Sequence, residues 1–186
     1  MGSSTTCSGG WQLTEGAPEP LARPGLRLTG IFVLVVAIGL LVGWIVRSGP
    51  AEVAEVGLAA PDFDVELFEG GTFTLSEATG SPVVVNLWAS WCPPCREEIP
   101  DISAFAETHP DVQVIGVAVE DREQAAREFA GEIGASYPLG LGTTEFEDAY
   151  PNLGLPATYV IDEDGTVTNI FNGVVDEETL EDLVFG

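Results

Sequence analysis

Six residues in a row, Val83-Val84-Val85-Asn86-Leu87-Trp88, carry no charge and a single polar side chain. A strand of this composition has no face to give to water and needs cover on both sides. A second such run occupies residues 112–119, Val-Gln-Val-Ile-Gly-Val-Ala-Val. Between them residues 94–108 read as a helix. Residues 123–133 read as another, with Ala126, Phe129, Ala130 and Ile133 on one face. Residues 157–161 form a third strand, and Asp162-Glu163-Asp164-Gly165 turns the chain into a fourth over 166–171. Residues 144–150 make a short helix at best. The stretch 176–184 closes as a helix, with Asp176, Glu177 and Glu178 in its first turn, where carboxylates meet the positive end of the dipole. Upstream, residues 63–67 and 72–75 alternate about Glu69-Gly70-Gly71, which is a hairpin signal. The order predicts an α/β sandwich: a mixed central sheet flanked by helices, with an N-terminal β-hairpin extension.

A different pattern precedes this domain. Residues 31–46, IFVLVVAIGLLVGWIV, are sixteen without a charge, and 28–46 are nineteen. At 1.5 Å per residue, nineteen residues reach about 28 Å, close to a bilayer's hydrocarbon thickness. No polar stripe suits them to a buried core helix. A cleaved signal peptide is the alternative, but no small-x-small site follows closely, and Pro50-Ala51-Glu52-Val53-Ala54 puts Glu at −3. The expectation is one transmembrane anchor, 28–46. Arg23 and Arg27 precede it and only Arg47 follows before acids dominate, so the N-terminus is expected in the cytoplasm and the C-terminal domain outside, with Trp44 at the outer interface. The expected layout is a disordered cytoplasmic tail 1–27, the anchor 28–46, a linker 47–60 and an α/β domain 61–186. Cys7, in the tail, reads as an incidental reduced thiol.

Charge excludes some partners. Six Lys+Arg face thirty Asp+Glu, a formal net charge of −24, and all six cations are Arg. Nucleic acid is an implausible partner, because phosphate binding needs clustered cations. Three Cys are too few for a disulfide-rich scaffold, and with the single His109 they make an uneconomical zinc site. Neither a metal nor another cofactor is expected.

The chemistry lies in Trp91-Cys92-Pro93-Pro94-Cys95. A bare Cys-x-x-Cys can be half a zinc site, or chance. This one stands directly after a buried strand and at the start of a helix. Cys92 would there meet unpaired backbone N–H groups, which favour its thiolate. Cys95 lies one turn on, on the same face and deeper. Cys92 can attack a substrate disulfide and Cys95 can resolve the mixed disulfide. Pro94 occupies a first-turn position, where its missing N–H costs nothing.

The segment Val84-Val85-Asn86-Leu87-Trp88-Ala89-Ser90-Trp91-Cys92-Pro93-Pro94-Cys95 resembles the active-site strand and turn of the thioredoxin superfamily. Arg96-Glu97-Glu98-Ile99-Pro100 continues it in the style of the membrane-anchored TlpA/ResA-like branch. A second motif, Gly154-Leu155-Pro156-Ala157-Thr158, precedes a strand at family spacing, and the resemblance spans roughly 58–186. It implies a thioredoxin fold, a redox-active Cys92–Cys95 disulfide, and a cis Leu155–Pro156 bond facing it, with substrate peptides alongside. It also implies that Pro93, Pro94 and Trp91 shape the site, Trp91 as rim packing or substrate contact. Thioredoxin proper has a buried Asp where this chain has Asn86, which cannot take a proton from Cys95. In the TlpA/ResA-like branch an acid often ends the next strand; Glu120 and Asp121 are the candidates, and the alignment of Phe129 favours Asp121. Arg96 either stabilises the Cys92 thiolate or pairs with a carboxylate.

The implied activity is thiol–disulfide exchange outside the cytoplasm. The implied direction is reduction of disulfides in exported proteins, cytochrome c apoproteins among them, with recharging by a membrane electron donor of thiol–disulfide type. A peroxiredoxin-like peroxidase is one rival, but that class needs Thr or Ser just before a lone Cys. A Sco-like copper chaperone is another, but that type uses Cys-x-x-x-Cys and a distal His, whereas His109 falls before the second core strand.

Overall fold

The computed structural model describes residues 31–39, 52–78 and 80–186. The chain divides into two units, 1–49 and 50–186. In the first, residues 31–39 form a helix, α1, whose apolar side chains, Ile31, Phe32, Val33 and Leu34 among them, are exposed. Among the described residues no helix is long and apolar enough to cross a membrane. Residues 28–30 and 40–46 of the expected anchor lie outside the described residues, as do the expected tail 1–27 with Cys7, and residues 47–51 of the expected linker.

In the second unit every side chain of β3 (Val83–Trp88) is buried, as its composition demands. Its parallel neighbour β4 (Gln113–Ala118) pairs with it from Val83↔Gln113 to Trp88↔Ala118. The antiparallel strand β6 (Ala157–Ile161) covers the other edge, and β7 (Val167–Asn172) follows. The hairpin β1 (Asp64–Leu67) and β2 (Thr72–Thr74) completes a seven-stranded mixed sheet in the order β2-β1-β5-β4-β3-β6-β7.

The link between hairpin and core is β5 (Leu139–Leu141), parallel to β4 and antiparallel to β1. Sequence patterning does not predict this strand, because Pro138-Leu139-Gly140-Leu141-Gly142 reads as a breaker-rich loop. The glycine is there for proximity. A Cβ on Gly140 would lie 2.4 Å from Val65 Cγ1 and 2.6 Å from the Glu66 carbonyl oxygen. The hairpin thus docks where no side chain intervenes.

Alternation along β3 divides the core in two. Val83, Val85 and Leu87 face a cluster with Phe63, Phe146, Tyr150 and Tyr159. This side is covered by α4 (Thr144–Ala149) and the 3₁₀ turn Leu75–Ala78. Val84 and Trp88 face the other cluster, with residues of α2 (Pro93–Thr108), α3 (Glu123–Ile133) and α5 (Glu177–Phe185). Successive right-handed crossovers between parallel strands in the order β3, β4, β5 place α2 and α3 on one face. Phe129 of α3 stacks on Trp88, with ring centroids 5.0 Å apart.

The segment 52–60, expected as linker, is bound to the domain. Ala54 is buried and donates its N–H to Ala149 O. Gly57 N bonds Val167 O, Val167 N bonds Leu58 O, and Ala59 bridges Thr166. The bonds at Val167 and Thr166 cover the start of the open edge of β7.

Candidate active site

Strand β3 ends at Trp88, and four residues later Cys92 caps α2. Its sulfur accepts the Cys95 N–H at 3.2 Å, and Pro93 and Pro94 fill the first helical positions, where no N–H is needed. Cys92 and Cys95 form a disulfide with Cα atoms 5.4 Å apart. Both are buried, Cys92 at 3% exposure and Cys95 at zero, so Cys92 is the sulfur nearer solvent. Trp91 stands out at 56% exposure beside them.

The Leu155–Pro156 bond is cis. The register Leu87↔Ala157 sets Pro156 level with Trp88, at the end of β3 from which the cysteine loop departs. Leu155 packs against both core clusters, including the one that holds the cysteines.

The two strand-end acids are occupied in another way. Asp121 Oδ2 accepts the Ser90 N–H at 2.5 Å, and Oδ1 accepts the Ser90 hydroxyl and the Arg122 N–H. Glu120 sits at φ 52°, an uncommon conformation for a residue with a side chain. Its carbonyl accepts the Trp91 indole N–H at 3.1 Å, and its own N–H donates to Glu147 Oε1. Together Glu120 and Asp121 clamp Ser90 and Trp91, the two residues before Cys92. Asp121→Asn puts an N–H₂ where one oxygen received a donor. We expect it to lower the unfolding free energy by about 1–3 kcal/mol, read by urea unfolding. The thiolate absorbance titration of the reduced protein is expected to move far less than it does in Glu98→Gln.

The acid that does lie in the core beside the cysteines is Glu98. It follows Cys95 by three residues on the buried stripe Cys95, Glu98, Ile99, Ile102, Phe105 of α2, and its side chain is wholly buried. Asn86 Nδ2 donates to its Oε1 at 2.7 Å and Val175 N–H to its Oε2 at 3.1 Å. Burial raises its pKa from 4.5 to about 7, against the opposing pull of those two hydrogen bonds. From sequence, Glu98 has no role of its own, only a place in the segment Arg96-Glu97-Glu98-Ile99-Pro100. The 3.6-residue stripe that begins at Cys95 was the available signal. Asn86 is thus the hydrogen-bond partner of an acid on the facing helix.

Arg96 lies over the Phe129 ring at 4.4 Å and reaches Glu132 at 3.9 Å. It is therefore a carboxylate partner in this structure. His109, at the end of α2, stacks on Phe105. Among the described residues no group of three or more His, Cys, Asp or Glu is placed to hold a metal.

This fold and this cysteine pair define a thioredoxin-like thiol–disulfide oxidoreductase. The chain belongs to the AhpC/TSA family, whose model matches residues 56–170. It is 31% identical over 160 residues to the thiol-disulfide oxidoreductase ResA of Bacillus subtilis (strain 168), covering 84% of this chain and 89% of that protein. It is 34% identical over 158 residues to the thiol:disulfide interchange protein DsbE of Pseudomonas aeruginosa, covering 80% and 83%. Among solved structures, a putative DsbE from Chlorobium tepidum superposes with a TM-score of 0.64 at 29% identity, covering 70% of this chain and 95% of that one.

Proposed function

We propose that this chain is a single-pass membrane protein whose outer domain reduces disulfides in exported proteins, apocytochromes c among them. The observation that carries the reading is the Cys92–Cys95 disulfide at the head of α2 with the buried Glu98 one turn below. Reduced Cys92, as thiolate, attacks a substrate disulfide; one substrate sulfur leaves as thiolate and a mixed disulfide forms. Cys95 passes its proton to the Glu98 carboxylate and attacks Cys92, releasing the second substrate thiolate and closing the Cys92–Cys95 bond. An acid with a pKa near neutrality suits both halves of that proton exchange. A membrane dithiol donor then reduces the pair again, itself becoming a disulfide, and the Cys92/Cys95 dithiol carries the electron pair to the substrate without another cofactor. Glu120 and Asp121 position the loop, and Leu155 and Pro156 border the site where a substrate strand lies.

The anchor rests on the apolar run 28–46 and on the arginines at 23 and 27. The all-round apolar exposure of α1 fits a lipid surrounding. A peroxidase reading meets a Ser90-Trp91-Cys92 order and a second cysteine one turn away, neither of which suits a lone peroxidatic cysteine.

Two measurements test the proposal. The full chain in mild detergent, given dithiothreitol, is expected to reduce insulin well above the dithiothreitol background and to leave hydrogen peroxide at its background rate; the reverse pattern makes it a peroxidase. A reporter active only outside the cytoplasm, fused after Gly186, is expected to be active. Activity of the opposite reporter would defeat the topology, and a mature chain beginning near residue 50 would mean a cleaved signal.

A further inference from the structure

Glu98 has a hydrogen-bond set that fits only one of its charge states. Both carboxyl oxygens meet N–H donors, Asn86 Nδ2 on Oε1 and the Val175 amide on Oε2. A carboxylate is satisfied by this; a carboxylic acid in the same place has an O–H and nothing to give it to. Leaving that hydrogen unmatched in a fully buried position is costly. The Val175 amide cannot become an acceptor. The carboxamide of Asn86 can, because its Oδ1 is buried and has no partner. Rotation about the terminal side-chain bond exchanges Oδ1 and Nδ2 in nearly the same volume, and that torsion is soft and two-fold.

The backbone of Asn86 cannot move to help. It is fixed between Gly116 of β4 and Thr158 of β6. Thr158, directly opposite Asn86 and on the same face of the sheet, carries a buried hydroxyl that also lacks a partner. A hydroxyl donates or accepts by turning its hydrogen. Oδ1, the amide atom turned away from Glu98, makes no hydrogen bond to it.

We propose that Asn86 is a positioning residue whose carboxamide reverses with the charge of Glu98, donating Nδ2–H to the carboxylate and accepting the acid O–H through Oδ1. This rests on the reading that Glu98 exchanges a proton with Cys95. The proton that leaves the Cys95 sulfur ends on Glu98 Oε1, pointing at Asn86 Oδ1, and no other bond is made or broken. Beneath a disulfide that opens and closes, the arrangement gives Glu98 a hydrogen-bond partner in either charge state.

The other titratable groups around Glu98 are few. Cys95 precedes it on α2. Tyr137, from the segment before β5, is buried with an unpartnered hydroxyl, and its ionisation is opposed by burial and by the charge of Glu98. Asp176, beyond Val175, is exposed and accepts the Thr179 N–H. The Trp88 indole N–H is buried and unpartnered but can only donate. Tyr137 is therefore the rival acceptor.

The test is nuclear magnetic resonance of the oxidised full chain in detergent. The Asn86 side-chain amide and the Glu98 carboxyl carbon are followed from pH 5 to pH 9. We expect the Overhauser contacts of the Asn86 Nδ2 protons to change partners, gaining the Thr158 methyl at low pH, with the same midpoint as the Glu98 carbon. Glu98→Gln is expected to abolish the pH dependence. Contacts that stay constant while Glu98 titrates would overturn the proposal; a Glu98 midpoint moved by Tyr137→Phe would then name the tyrosine. Asn86→Leu gives a second reading. A fixed donor predicts that the Glu98 midpoint rises by about one pH unit when that donor is lost. A reversing amide serves both forms, so the midpoint is expected to stay within roughly 0.3 units. An active enzyme with an unmoved amide removes the switch alone. A reversing amide in a chain without disulfide exchange activity removes the redox reading alone.

Discussion

Cys92→Ser is expected to abolish insulin reduction, with a loss of at least about a thousandfold, as is usual when a covalent nucleophile is removed. Cys92 is the sulfur nearer solvent, at the cap of α2, where the Cys95 N–H and the helix dipole stabilise its thiolate. Cys95 is wholly buried and has no path to a bulky substrate. The two single variants must therefore differ in kind. Cys95→Ser keeps the attack and loses the resolution, so the protein should accumulate covalently joined to its substrate. Non-reducing electrophoresis after incubation with an oxidised substrate reads this as a larger species that dithiothreitol disperses. The same species in Cys92→Ser, or retained turnover in that variant, would reverse the two roles.

The parts of the fold legible from sequence were those written in local patterns. A strand such as Val83–Trp88, apolar at nearly every position, announces burial on both faces by itself. The cysteine spacing after it fixes a helix start. What escaped depends on partners distant in the chain. Strand β5 exists because Gly140 allows the backbone of β1 to approach, and a glycine between a proline and another glycine is indistinguishable locally from a turn. The task of Asp121 is set by Ser90, thirty-one residues earlier, and no pattern in the strand end distinguishes a loop clamp from a proton donor. Segment 52–60 binds the domain chiefly through main-chain groups, which residue identities do not reveal. Glu98 is a different case. It was legible from helical periodicity, and the acidity of the whole chain concealed it among thirty carboxylates.

Glu98→Gln is expected to flatten the pH dependence of stability and to remove a limb of the rate profile. The folded protein holds this carboxyl at a pKa of about 7 against 4.5 for the free group. A raised pKa means that the neutral form is the one the fold favours. The stability tied to it is therefore complete below pH 4.5 and lost as pH rises through 7. Between pH 5 and pH 8 the oxidised wild type should lose roughly 2–3 kcal/mol that the Gln variant does not lose. Urea unfolding at the two pH values measures the difference. Other carboxylates cancel, being common to both proteins. Turnover runs the opposite way. Glu98 must be ionised to take the proton of Cys95, so wild-type activity should rise with pH through the region near 7, with midpoints that belong jointly to Glu98 and the cysteines. The Gln variant should be slower by about a hundredfold at neutral pH, the usual loss for a positioned acid–base group. Ionised Glu98 also opposes a nearby thiolate. The variant's cysteines are therefore expected to titrate at lower pH, visible as thiolate absorbance. Unchanged stability slopes together with an unchanged rate profile would mean that water, and not Glu98, carries the proton.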